Sequence, residues 1–319
     1  MKRAIAAIPA VLLLAGCAPA NTATDDFELR VGALTTQNVL TLCQASGGLD
    51  GPIEEVGGSV TASDPFPAFA PASEALAAGH IDVGSSGATG VLSALAGGRD
   101  LVVVAVERND NDTQGIVAGS GTGIASIEDL AGRTVAINEG GTGDYLLRKA
   151  LVEHGMTIDD VEPVSLAPAD AATAFSSGQV DAWATWDQYL VSAQVDLGAT
   201  LVASAADIGA QNPSVHVVSR EFADEHPLGV GALYRALEGC ADEVAADPSI
   251  LADAYREAGV SDAVAEEIIA HRAPSIAPAD EDFAAEFAEL AEFYADQGLT
   301  DELVDTSAAT ADVRTWVEG

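Results

Sequence analysis

Short apolar runs alternate with amphipathic stretches along most of the chain, in the rhythm of strand, loop and helix. Residues 27–33 read as a strand and, after a polar loop, 39–46 as a helix. Residues 59–61 give a weaker strand signal, and 71–78 are helical up to the Gly79-His80 stop. Residues 81–84 form a short strand, followed by a loop, Ser85-Ser86-Gly87, that opens a helix running to Ala96. Residues 101–106 are apolar throughout, as a strand buried on both faces requires. This order predicts an α/β fold of βαβ units with a mostly parallel sheet covered on both sides.

The pattern changes at residues 107–114, "ERNDNDTQ", which are polar and turn-rich. A second α/β unit starts near Thr113. It has strands at 115–118, 134–137 and 180–183, a short capped helix in "SIEDLAGR", a helix over 144–154 and a last strand at 215–219. Beyond it, residues 220–319 are rich in Ala, Glu and Leu and read as almost all helix. The second unit is therefore expected to be inserted into the first, with crossings at about 107–114 and 204–216 forming a two-stranded hinge. The expected division is 27–112 with 219–319 as one lobe and 113–218 as the other.

Three loops follow strands of these units: Thr36-Gln37-Asn38, Ser85-Ser86-Gly87 and Gly140-Gly141-Thr142-Gly143. Open α/β sheets bind ligands at the carboxyl ends of their strands. Each loop starts a helix, whose first N–H groups and dipole suit an anion, and the hydroxyls add donors. The same residue types are favoured helix caps with no ligand at all, so the weight rests on finding three in equivalent places. Asp144 either caps its own helix or, turned inward, repels an anion. Trp183 is expected in the core and Trp186 in the cleft. Asp187 either accepts a hydrogen bond from a ligand amine or caps the following helix; Glu107 is either a hinge partner or a cleft carboxylate. No nucleophile–base pair stands out, and Gly119–Gly123 lacks the lysine and spacing of a phosphate loop. The five histidines sit in five separate contexts. No catalytic residue, metal or cofactor is expected.

The chain carries 50 acidic against 13 basic residues, a net charge of −37. Nucleic-acid binding needs basic groups against phosphate, and anionic lipid needs a basic face, so both are excluded as partners. An anionic ligand must win locally against this field. At the start, Lys2-Arg3 precede an apolar run, 4–14, too short to span a bilayer. It ends in Leu14-Ala15-Gly16-Cys17, which resembles a bacterial lipobox. Residues 1–16 then form a lipoprotein signal peptide, Cys17 carries the lipid and 17–26 are a linker. The mature chain would be exported and held on the extracytoplasmic face through that anchor alone. Cys43 and Cys240 remain; outside the cytoplasm such a pair is expected to close a disulfide, the alternative being two buried thiols.

Several segments carry a family likeness: "SEALAAGHIDVG", "SIEDLAGRTVAINEGGTGDYLLRKALVEHG", "AFSSGQVDAWATWDQYL", "VVSREFADEHP" and "FYADQGLTDELVDTS". They resemble the aliphatic-sulfonate-binding proteins of ABC importers, in the nitrate/sulfonate/taurine branch of the two-lobed type II solute-binding proteins. The resemblance implies a monomer that takes a small sulfonate between its lobes and delivers it to a permease and its ATPase. It also implies the ligand set Thr36, Gln37, Asn38, Ser85, Ser86, Gly87, Thr142, Gly143, Trp186 and Asp187. Relatives on the same scaffold bind taurine, nitrate, bicarbonate or thiamine-precursor pyrimidines. A distant branch makes the thiamine pyrimidine, for which clustered His and Cys near the cleft would be wanted. Two departures bear on the ligand. The first loop has Leu34-Thr35-Thr36-Gln37-Asn38 where many relatives have Lys and glycines, and 66–71 read "FPAFAP" in place of Phe-Pro-Ala-Gly-Pro.

Overall fold

The computed structural model describes residues 26–108, 113–271, 274–310 and 313. Residues 1–16, Cys17 and most of the linker lie outside them. In chain order the strands are β1 (Phe27–Gly32), β2 (Gly58–Ala62), β3 (Val83–Gly87), β4 (Leu101–Arg108), β5 (Gln114–Ala118) and β6 (Thr134–Ile137). They continue with β7 (Glu162–Ser165), β8 (Ala182–Trp186), β9 (Thr200–Ser204), β10 (Ser214–Ser219) and β11 (Ser275–Ala277). One sheet runs β11-β4-β10-β3-β1-β2 and the other β7-β6-β8-β5-β9. The chain builds four strands of the first sheet, leaves for all five of the second, and returns: the second lobe is inserted into the first.

The helices of the first half are α1 (Val39–Ser46), α2 (Asp50–Glu55), α3 (Phe69–Ala77), α4 (Ala88–Ala96), α5 (Thr142–Glu153) and α6 (Pro168–Ser176). Those of the second half are α7 (Asp187–Val195), α8 (Arg220–Glu225), α9 (Pro227–Ala246), α10 (Ser249–Glu257), α11 (Asp262–His271) and α12 (Glu281–Asp296). Local chemistry sets several boundaries. Asn38 Oδ1 accepts from Thr41 N at 3.1 Å to cap α1, and Gly47 ends it with φ of +74°, a conformation that only glycine takes without cost. β4 buries Leu101 through Val106 completely, consistent with cover on both faces. Helix α9 buries Val230, Leu233, Leu237 and Val244 along one stripe. That stripe meets α1, where Cys43 and Cys240 are joined in a disulfide, Cα atoms 5.5 Å apart.

Several expectations change. The sheets are mixed rather than mostly parallel: β10 is antiparallel to both β3 and β4, and β5 to both β8 and β9. These antiparallel strands are the ones that carry the chain between lobes. The expected last strand of the second unit, β10, belongs to the first sheet, between β3 and β4. Its pairing extends β3 through Ser85, Ser86 and Gly87, which are strand rather than loop. Strand β8 likewise runs on to Trp186. The tail is not all helix, since β11 pairs with β4. Nor does the tail cover only the first lobe. Leu251, Tyr255, Val264 and Ile268 of α10 and α11 pack with Val191 of α7, and Phe283, Phe287 and Tyr294 of α12 share a core with Tyr145 and Leu146 of α5.

Candidate ligand-binding cleft

The ends of β1, β3, β6 and β8 converge on a cleft of about 570 Å³ between the two sheets. Nine of the ten residues expected from sequence line it: Thr36, Gln37, Asn38, Ser85, Ser86, Gly87, Thr142, Trp186 and Asp187. Gly143 does not. Its N–H is donated to Asn138 Oδ1 at 2.6 Å, and a β-carbon there would collide with the Ala184 carbonyl oxygen. Gly143 lets α5 start hard against β8; it does not face the cleft.

Several of the helix-start N–H groups expected to face the cleft are already paired within the protein. Val39 N donates to Glu107 Oε2 at 2.9 Å, Ala88 N to Pro213 O at 2.9 Å and Thr89 N to Asn212 Oδ1 at 3.0 Å. What faces the cleft is a set of hydroxyls. Ser85 is 1 % exposed, and its Oγ has no hydrogen-bond partner among the described residues. A buried donor left unmade costs about 1–3 kcal/mol, and Ser85 Oγ carries that cost at the wall of the cleft. Opposite it in the register sits His216, wholly buried, with Nε2 3.4 Å from Glu107 Oε2 but outside hydrogen-bond geometry. Glu107 is 1 % exposed and holds the start of α1, so it is a partner at the crossing and not a cleft carboxylate.

The two lobes touch across the cleft where Asn212, Gln114, Thr89 and Ser93, which the sequence did not single out, meet the expected loop at 140–142 and one another. Asn212 Nδ2 donates to Thr142 Oγ1 at 3.0 Å and to Gln114 Oε1 at 3.1 Å, while Gln114 Nε2 donates to Asn212 O at 2.9 Å. Thr89 and Thr142 hydroxyls lie 3.4 Å apart, and Ser93 Oγ donates to Gly140 O at 2.5 Å. Gly87 leaves room for the Asn212 amide; a β-carbon there would come within 2.8 Å of it. Asn212 precedes Pro213 in what reads locally as a plain turn, and nothing in its immediate sequence signals this role.

Charges in and near the cleft are mostly neutralised or restrained. Asp144 is buried, accepts Gly140 N at 3.0 Å and pairs with Arg148 Nε at 2.7 Å. It caps the loop before its helix and is answered by a cation. Asp187 is 6 % exposed with φ of +53°, a strained setting for a residue other than glycine. Its Oδ1 accepts from Tyr255 OH at 2.5 Å. Burial, and secondarily the Asp187 charge, raises the Tyr189 pKa. Burial, then Asp144, raises that of Tyr294 far more, so its hydroxyl stays protonated and donates to Gly140 O at 3.2 Å. Trp183 packs in the second lobe's core against Phe175 and Tyr189, while Trp186 faces the cleft, edge-on to Tyr189. Phe69, Leu166 and Pro168 add apolar wall. The arrangement provides hydroxyl donors at the floor and apolar cover above them, and holds no nucleophile–base pair among the lining residues.

Comparison with known proteins places this geometry. The NMT1/THI5-like family matches residues 66–250. A putative aliphatic sulfonates-binding protein of Escherichia coli (strain K12) is 32% identical over 242 residues, 75% of this chain and 76% of that one. The alkanesulfonate-binding protein SsuA from Xanthomonas axonopodis pv. citri, bound to MOPS, superposes with a TM-score of 0.80 at 28% identity, covering 87% of this chain and 96% of that one. The periplasmic aliphatic sulphonate binding protein SsuA from Escherichia coli gives 0.79, also at 28% identity, over 89% and 92%.

Proposed function

The chain belongs to the NMT1/THI5-like family of two-lobed type II solute-binding proteins, and from that premise we propose that it is the lipid-anchored substrate-binding component of an ABC importer for a small sulfonate. The observation that carries the reading is the buried Ser85 hydroxyl, without a partner, at the floor of a cleft lined by eight of the other nine residues named from sequence. Ser85 and Ser86 from the first lobe and Thr142 from the second surround the head group. A sulfonate is acceptor-only, and three hydroxyl donors suit its three oxygens. Trp186 and Phe69 cover the carbon tail. Binding draws the lobes together about the two crossings, and the closed form is what the permease and its ATPase receive. Cys17 holds the protein to the membrane, and among the described residues no helix is long and apolar enough to cross it.

Calorimetry with alkanesulfonates of two to eight carbons tests this, alongside taurine, nitrate, bicarbonate and a thiamine-precursor pyrimidine. A ligand at a hundredfold excess over its Kd should raise the unfolding free energy by about 2.7 kcal/mol, and Trp fluorescence should change as Trp186 is covered. Heat and stabilisation from nitrate or a pyrimidine, with none from any sulfonate, would discard the assignment and leave the fold intact.

A further inference from the structure

Six of the eight arginines whose surroundings are described are ion-paired: Arg30, Arg108, Arg133, Arg148, Arg220 and Arg256. In a chain with 50 carboxylates against 13 basic groups, that is the expected state of a guanidinium. Arg235 and Arg99 are the exceptions. Arg235 is exposed and solvated, whereas Arg99 is half-buried and is the one cation among the residues that line the cleft. It is not there by slack in the chain. Arg99 N donates to Ala94 O at 3.0 Å and Gly98 N to Leu95 O at 2.9 Å, with Gly98 at φ of +78°. This closing turn of α4 fixes where the side chain starts. Arg99 also borders a neighbouring hollow that contains Asp100, Asp301, Glu302 and Asp305, yet none of these pairs with it; Asp100 pairs with Arg220.

The geometry points to Arg99 as the receptor for a second anionic group on the ligand, which makes the preferred substrate a sulfonate carrying a carboxylate at the far end of an alkyl chain. This rests on the sulfonate reading of the same cleft. Helix α4 links the two ends: its start lies beside Ser85–Gly87 and Thr142, and Arg99 follows its last turn. Nine residues at 1.5 Å each separate the ends by roughly 13 Å, and an arginine side chain is long enough to span part of that length. The span left suits a medium-length chain lying along Phe69, Ala94 and Leu166. A guanidinium meets a carboxylate with two parallel donors, a match an ammonium or a methyl group cannot make. Glu74 and Glu139 also line the cleft, but both are exposed, where water screens them more than it screens Arg99.

The test is calorimetry of the full mature protein with matched sulfonates, propane- to octane-length, ending in methyl, carboxylate or ammonium. At the best length the carboxylate-terminated compound should bind about tenfold or more tighter than its methyl-terminated partner. In R99Q that ratio should collapse to near one. R99K keeps the charge without the fork and should give an intermediate ratio; it also serves if R99Q does not fold, which its melting curve would show. Equal binding of the methyl and carboxylate series, preference for the ammonium series, or a ratio unchanged in R99Q or R99K would each overturn the assignment. Failure of every sulfonate to bind would instead overturn the sulfonate reading, and this inference with it.

Discussion

The hydroxyl of Tyr255 donates to Oδ1 of Asp187 at 2.5 Å. One residue begins α7 at the end of β8 in the inserted lobe; the other lies on α10, sixty-eight positions further on. The bond fixes the carboxylate that shares the end of β8 with Trp186, so a helix remote in sequence governs the orientation of one cleft wall. Tyr255→Phe removes the donor and leaves a buried carboxylate with less compensation. Urea unfolding should show a loss of about 1.5–3 kcal/mol, the range for a hydrogen bond to a charged group. A loss under about 0.5 kcal/mol would mean that the remaining surroundings of Asp187 carry the charge unaided.

Ser85→Ala and Thr142→Ala should separate binding from stability. Ser85 Oγ has no partner within the protein, so its removal should leave the melting temperature of the unliganded protein unchanged or slightly raised. Affinity for a sulfonate should nevertheless fall on the order of tenfold. Thr142 Oγ1 accepts from Asn212, so its loss should weaken both the unliganded protein and the complex. If Ser85→Ala destabilises the free protein while binding is unaffected, the head group is not at Ser85.

Reduction of the Cys43–Cys240 bridge should lower stability substantially. It closes a loop with a sequence separation of 197, for which the chain-entropy estimate is about 5 kcal/mol as an upper figure. Intact mass after alkylation of denatured protein, with and without reductant, checks the bond itself. Two thiols alkylated without reductant would show it absent.

Cys17→Ser should release the protein from membranes or stall its processing, measured by fractionation and intact mass. A variant that is processed normally and stays membrane-bound would remove the lipid anchor from the proposal.

Much of the fold was legible because its signals are local. The strand at 134–137, the Gly-rich loop behind it and the helix that follows announce themselves through periodicity and Gly/Thr chemistry, and β6 and α5 lie where these signals fall. What escaped is set by partners distant in sequence. Ser85–Gly87 look like a loop until β10 arrives to pair with them, more than a hundred residues later. Gly143 looks like a ligand donor until Asn138 and the Ala184 carbonyl are seen to fill its surroundings. Asn212 and Arg99 carry no motif. One matters because two helix starts and Gln114 meet at its amide, the other because no carboxylate among the described residues pairs with it.

The position of β10 in the first sheet has a consequence for the order in which the protein matures. The first sheet cannot close from its first four strands, since β10 lies between β3 and β4. As the chain emerges, those strands must wait, with an open seam, until residue 219 is available. The five strands of the second sheet are contiguous, from Gln114 to Ser204, and are all available before then, although the core behind them still awaits α12. Emergence from the N-terminus therefore makes all strands of the second sheet available before those of the first, with Cys240 arriving later still to join α9 to α1. During that wait the exposed edges of β3 and β4 are where a chaperone would bind and where aggregation would begin.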